Sequence, residues 1–277
     1  MTYPNVQKAL DYIHAVLSGE IIANKYIKLA CQKHLDELKN SETNPDYPYF
    51  FDPAKAEKVA KFIQLLPHTK GKWASKGEKI ALESWQIFAC CLPFGWIKRA
   101  TGFRRYTKIL IFVCRKNGKS AIAAGIGNYM FCADGEFGAE VYSGKKKKKQ
   151  AWEVFRPAKI MVERTKALKD FYGIEVNASN MARLADGSRY QPIIGKPGDG
   201  SSPSCAIIDE YHEHKNNDLY DTMETGMGAR EQPIMLVITT AGSSIGGACH
   251  QMVRDAEKML DGVMDIPDLW AVLYGMD

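Results

Sequence analysis

The chain has 277 residues, 45% of them hydrophobic and 25% charged, with a formal net charge of +5, the makeup of an ordinary soluble globular protein of one large domain or a domain with a small appendage. No apolar run approaches the ~20 residues that cross a bilayer, the N-terminus lacks the basic-then-apolar layout of a secretion signal, and the mild positive charge permits an acidic partner such as DNA without demanding one. The seven cysteines, at 31, 90, 91, 114, 132, 205 and 249, include no C-x-x-C pair and are odd in number, so neither disulfides nor zinc is expected.

In chain order, Asn5 to Leu17 places Val6, Ala9, Leu10, Ile13, Val16 and Leu17 at helical spacing, and Asn24 to Leu38 repeats the pattern with Ile27, Ala30, Cys31, Leu35 and Leu38. His14 and His34 fall on or near these apolar faces and read as structural histidines. Asp52-Pro53 predicts an N-cap with proline at the first helical position, opening a helix through Leu66. Pro67 to Gly77 reads as a loop. Ala81 to Gln86 then leads into an apolar helix over Ile87 to Leu92, with Gln86 offering the paired donor and acceptor that would suit the N6 and N7 edge of adenine.

Ile109 to Val113 is a short apolar run predicting a strand buried on both faces. It runs into Cys114-Arg115-Lys116-Asn117-Gly118-Lys119-Ser120 and a helix start at Ala121, an order that puts backbone N–H groups and a helix N-terminus where an anion can sit. Against G-x-x-x-x-G-K-[ST] the first glycine is replaced by Val113. What matches is the half that touches a nucleotide: Gly118 for close backbone approach, Lys119 for the β- and γ-phosphates, and Ser120 for Mg²⁺. Arg115, Lys116 and Asn117 fill the loop between. Taken alone, Gly-Lys-Ser fits a basic loop capping a helix equally well.

Further on, Ala139 to Ser143 predicts a strand, followed by five lysines, Lys145 to Lys149, at the start of a helix that contains Pro157. This run reads either as solvated surface or as a contact with a nucleic-acid backbone. Asp186-Gly187 between two apolar runs signals a hairpin. Cys205 to Ile208 is an apolar strand ending in Asp209-Glu210, a pair suited to holding Mg²⁺ through Asp209 and activating water through Glu210. His212 and His214 lack metal-ligand spacing. Leu219 to Met227 reads as a helix, Arg230 closes a Gly-Ala-Arg loop, and the strand Pro233 to Ile238 ends in Thr239-Thr240, hydroxyls suited to sensing a γ-phosphate. A helix over Gln251 to Leu260 and a strand over Leu269 to Tyr274 complete the chain.

Together these pieces resemble the large terminase subunit of tailed phages, in its lambda-like or HK97-like branch. The motifs that carry the resemblance are Phe51-Asp52-Pro53, His68-Thr69-Lys70-Gly71, Leu82-Glu83-Ser84-Trp85-Gln86, Arg115 to Ser120, Glu140 to Ser143, Ile207 to His212 and Thr239 to Gly242. The resemblance implies an α/β, RecA-like (ASCE) P-loop ATPase with a mainly parallel sheet flanked by helices. It divides the chain into an N-terminal helical region (1–80), the ATPase core (81–265) and the start of a linker (266–277). It implies that Mg-ATP drives double-stranded DNA into a procapsid in the cytoplasm of a bacterial host, with portal protein and small terminase subunit as partners. The chain would form a homo-oligomeric ring when assembled and a monomer in isolation. Gln86 would read adenine, Arg115 would contact phosphate, and Ser120 and Asp209 would hold Mg²⁺. Glu210 would be the catalytic carboxylate, Thr239-Thr240 the coupling element, and Arg230 a candidate finger for a neighbouring subunit. Family members carry a second, RNase H-like nuclease domain, and with the chain ending at Asp277 no DNA cleavage is expected of it. A weakly nucleotide-binding docking module and another P-loop DNA-dependent ATPase are the alternatives.

Overall fold

The computed structural model describes residues 2–145, 148–194, 200–214, 216–240 and 246–275, leaving the side chains of residues 145, 148–151 and 194 undescribed. The questions raised by Lys145–Lys149 and by Ala241-Gly242 therefore lie outside the described residues. Among those that are described, no helix is long and apolar enough to cross a membrane.

The N-terminal region folds as α1 (Pro4–Ser18) and α2 (Lys25–Thr43). Gly19 stops α1 in the left-handed conformation (φ 84°). Asn24 caps α2 by accepting from the Ile27 N–H at 2.9 Å, while its amide donates to the carbonyls of Leu273 and Gly275 near the other end of the chain. Strand β1 (Tyr49–Phe51) follows, then α3 (Pro53–Leu65) with the expected Asp52 cap, a short α4 (Gly71–Ser75), α5 (Ser84–Cys90) and β2 (Trp96–Lys98). The small antiparallel β1–β2 ladder has no counterpart in the sequence reading. The apolar helix expected to reach Leu92 ends at Cys90, and Leu92–Gly95 tightens into a 3₁₀ turn at Pro93, which has no N–H to continue a ladder.

The core is built from β3 (Lys108–Phe112), α6 (Lys119–Cys132), β4 (Glu140–Lys145), α7 (Lys148–Arg164), α8 (Lys166–Tyr172), β5 (Ile174–Val176), β6 (Met181–Arg183) and β7 (Ser188–Ile194). It continues through β8 (Cys205–Asp209), α9 (Asp218–Gly226), β9 (Ile234–Thr239), α10 (Ala248–Leu260) and β10 (Leu269–Leu273). Eight of these strands form one sheet in the order β10-β3-β9-β8-β4-β7-β6-β5. It is parallel from β10 through β7, and the antiparallel hairpin expected at Asp186-Gly187 adds β6 and β5 at one edge. This is the mainly parallel, helix-flanked sheet of a RecA-like α/β fold.

Two features of this topology position the site. The crossover from β3 through α6 passes β9 and β8 before pairing β4, and β10 lies on the other side of β3, so the connections diverge at the C-terminal end of β3, where open α/β sheets bind ligands. Helix α6 is apolar on nearly all faces because it is buried on nearly all of them. It packs so closely that a Cβ at Gly127 would stand 2.6 Å from the Tyr190 hydroxyl. The expectation of a linker from residue 266 meets β10 instead, whose five residues are all buried and pair in parallel with β3.

The N-terminal helices share the core of the sheet. His34 on α2 is fully buried, edge-on to Phe51, Phe88, Trp96 and Trp270, and its Nδ1 accepts the Trp96 indole N–H at 3.2 Å. Burial pushes its pKa down to about 4. The ring is therefore neutral in the fold, and a proton binds the unfolded chain first. Its share of stability is complete above about pH 6.5 and drains away between there and pH 4, by roughly 3 kcal/mol. His34→Gln, which can still accept from Trp96 but cannot titrate, is expected to flatten that part of the stability curve in urea titrations from pH 7 to pH 4. An unchanged slope would place the acid sensitivity elsewhere.

Candidate functional site

The β3–α6 loop turns back on itself through two left-handed residues, Lys116 (φ 70°) and Gly118 (φ 74°). The second costs nothing, whereas a lysine there is disfavoured by about 1–2 kcal/mol. At Gly118 a Cβ would meet only Gln86 Nε2 at 3.6 Å, so glycine is needed there for its conformation rather than for room. Cys114, Arg115, Lys116, Asn117 and Gly118 are all exposed, and Asn117 ties the loop by donating to the Cys114 carbonyl at 3.1 Å. Val113, in place of a first glycine, is buried and hydrogen-bonded to the Thr239 carbonyl.

Strand register brings the second motif to this loop. Ile111, Ile238 and Asp209 are aligned across β3, β9 and β8, so the ends of the three strands stand level with the Thr239 strand in the middle. Asp209 is buried, and Glu210 immediately after it adopts a left-handed conformation (φ 52°, ψ 49°). The Lys119 ammonium lies 3.9 Å from Glu210 Oε1 and is also held by the carbonyls of Val113 (3.1 Å) and Cys114 (3.2 Å). Burial lowers the Lys119 pKa, and attraction to Glu210 and Asp209 works against that. The two distant motifs thus converge on one place.

The residues present fit a magnesium–triphosphate group. Ser120, in the first turn of α6, and the Asp209 carboxylate are hard oxygen donors, and α6 directs its N-terminal N–H groups at the same spot. Among the described residues no three His, Cys, Asp or Glu side chains form a dedicated metal cage, and Mg²⁺ held largely through substrate phosphates needs none.

Gln86 lies beside the loop, but its Oε1 accepts the Glu83 N–H at 3.0 Å in a capping box for α5. Its amide nitrogen is the group turned toward Gly118. Next to it opens a cleft of about 420 Å³ bordered by Tyr12, Ile22, Trp85, Val113, Asn117 and Tyr274. Trp85 and Tyr274 pack edge to face at 5.2 Å, an aromatic pair that sequence reasoning missed because its members lie far apart in the chain.

Thr239 and Thr240 are buried at the end of β9. The Thr239 hydroxyl meets both the backbone N–H (3.2 Å) and the ring Nδ1 (3.1 Å) of His212, a residue given no role from the sequence. Arg230 is not brought to this site. It stands before β9, at the opposite end of the parallel strands. There it donates to the Ser202 carbonyl (2.9 Å), the Gly138 carbonyl (3.0 Å) and Glu136 (2.8 Å), which ties down the segments leading into β8 and β4.

Comparison with known proteins bears on the family and the fold. The chain is 51% identical over 105 residues to Protein YmfN of Escherichia coli (strain K12), which covers 38% of the chain and 23% of that protein. It is 28% identical over 157 residues to the terminase large subunit of Enterobacteria phage HK97, covering 55% of the chain and 31% of the relative. The chain thus spans less than a third of the length of these two relatives. The crystal structure of the HK97 bacteriophage large terminase superposes with a TM-score of 0.64 at 24% identity, over 79% of this chain and 44% of that one, a likeness of fold. Residues 84–258, which hold Gln86, the phosphate loop, Asp209, Glu210, His212, Thr239 and Thr240, match the family model "Terminase large subunit, ATPase domain", and the chain belongs to that family.

Proposed function

We propose that this chain is the motor domain of a phage-type DNA-packaging machine. It would hydrolyse Mg-ATP and use the energy to drive double-stranded DNA into a procapsid, working as a ring of copies with a portal protein and a small terminase subunit. The observation that carries this reading is the approach of Lys119 to Glu210 (3.9 Å), beside Asp209, at the divergence point of the sheet.

Each group has a task that follows from its position. Lys119 exchanges the carbonyls of Val113 and Cys114 for β- and γ-phosphate oxygens, and the N–H groups at the start of α6 add fixed partial positive charge. Arg115 and Lys116, exposed on the loop, supply further cations. Gln86 offers its amide N–H to the base, while its oxygen stays in the cap. Ser120 and Asp209 would hold Mg²⁺, which would supply positive charge to offset the charge developing on the phosphates. Glu210 orients the attacking water and takes its proton, and Thr239 and Thr240 register whether the γ-phosphate is present.

Titration with a fluorescent ATP analogue, alongside phosphate release with and without double-stranded DNA, tests the reading. Lys119→Ala is expected to weaken nucleotide binding by at least about tenfold, or 1.4 kcal/mol, and to abolish turnover. DNA stimulation is expected to fall steeply with salt. Binding and turnover equal to wild type in Lys119→Ala would remove the nucleotide assignment.

A further inference from the structure

We propose that His212 is a positioning residue that links the Glu210 carboxylate to the Thr239 hydroxyl, so that the carboxylate and the sensor strand respond to the nucleotide together. The inference rests on the proposed ATPase reading and assigns a part in it to a residue that the chemistry above does not use.

The backbone is shaped for this contact. Glu210, left-handed at φ 52°, is followed by a 3₁₀ turn over Tyr211–Glu213 that folds His212 back across the strand end. As a result one residue approaches one hydroxyl twice, through its N–H at 3.2 Å and its ring Nδ1 at 3.1 Å. The same Nδ1 stands 3.3 Å from Glu210 Oε2. A left-handed conformation at a residue with a Cβ is strained and persists where the surroundings hold it; this double contact is what holds it here.

Counting protons assigns the tautomer. The Thr239 hydroxyl donates to the Thr240 carbonyl at 3.3 Å, so it faces His212 as an acceptor. An ionised Glu210 is an acceptor too. Nδ1 then carries hydrogen, and its bond goes to Thr239 at 3.1 Å, while Glu210 Oε2, 3.3 Å away, is buried with no hydrogen-bond partner of its own. A small turn of the carboxylate toward the ring brings Glu210 Oε2 into line with that N–H, and a turn away leaves the N–H wholly to Thr239. This is the two-state element that a coupling path requires. The path continues from Thr239, whose hydroxyl oxygen lies 3.5 Å from Cys249 Sγ on α10.

The test compares His212→Ala, His212→Asn, Thr239→Val and the His212→Ala/Thr239→Val pair by kcat, KM and melting temperature, using the full chain with Mg-ATP and double-stranded DNA. Asparagine places an amide N–H close to where Nδ1–H stands, and alanine places nothing there. His212→Ala is expected to lower kcat on the order of tenfold or more with KM changed less than about threefold, His212→Asn to recover most of the loss, and the double variant to be no worse than the poorer single one. Equal kcat in the alanine and asparagine variants, additive losses in the pair, or a fall in kcat matched by a fall in melting temperature would each overturn the positioning role. An active wild type with an indifferent His212→Ala overturns this inference alone; a wild type that binds no nucleotide overturns the ATPase reading and this inference with it.

Discussion

Glu210→Gln is expected to leave nucleotide binding within a few-fold of wild type and to lower turnover by roughly 10²- to 10⁴-fold, the range spanned by a positioned general base. Glutamine keeps the shape of the side chain and one oxygen acceptor, so it can still face Lys119, 3.9 Å away, with that oxygen while its NH2 end turns toward His212, whose contact at 3.3 Å is lost. It cannot accept a proton from water. The substitution also removes one of the two carboxylates whose attraction offsets the burial of Lys119, so the lysine pKa moves further down. That shift leaves binding close to wild type as long as Asp209 still faces the ammonium. Phosphate release and analogue binding, measured on the same preparation, separate the two effects. Undiminished turnover would move the base to another residue, and a parallel collapse of binding would make Glu210 a structural partner of Lys119 instead.

Much of the site was legible because its parts are local. An apolar run ending in Gly-Lys-Ser and another ending in Asp-Glu each describe a strand and the turn after it, and β3 and β8 fall where those runs are. The pairing of distant strands is carried by no short segment. Leu269–Leu273 reads as a strand from its own residues, yet only its long-range ladder with β3 shows that it belongs to the central sheet rather than to a linker. Gln86 was singled out by residue type, but a side-chain amide has two ends. Which end faces the loop depends on the cap at Glu83, a local bond whose geometry needed the α5 start to be fixed. His212 was considered only as a metal ligand and given no role, because its partners are a neighbour two residues back and a threonine on another strand. The sign that pointed to it is the Asp-Glu-x-His spacing itself, which a search for metal ligands passes over.

Arg230, expected as a finger for a neighbouring subunit, stands in its own chain at the far end of the sheet from the phosphate loop. It precedes the sensor strand, and residues before a parallel strand sit at the end of the sheet away from the ligand. Its three hydrogen bonds, to Ser202, Gly138 and Glu136, lie there, and its side chain is only 15% exposed. Arg230→Ala is therefore expected to act first on stability. It leaves two carbonyls and a carboxylate without a charged donor, a loss of roughly 2–3 kcal/mol, or about 5–10 °C in melting temperature for a chain of this size. Arg230→Lys cannot span the three acceptors with one ammonium and is expected to recover only part of that loss. A finger reaching into a neighbour's site makes the opposite forecast. Arg230→Ala would melt like wild type, and mixing it with Glu210→Gln subunits would restore turnover, because each Arg230→Ala site flanked by a Glu210→Gln copy would receive an intact arginine. Bracing of the β4 and β8 entries predicts a lowered melting temperature and no recovery on mixing, since a brace cannot be lent between subunits.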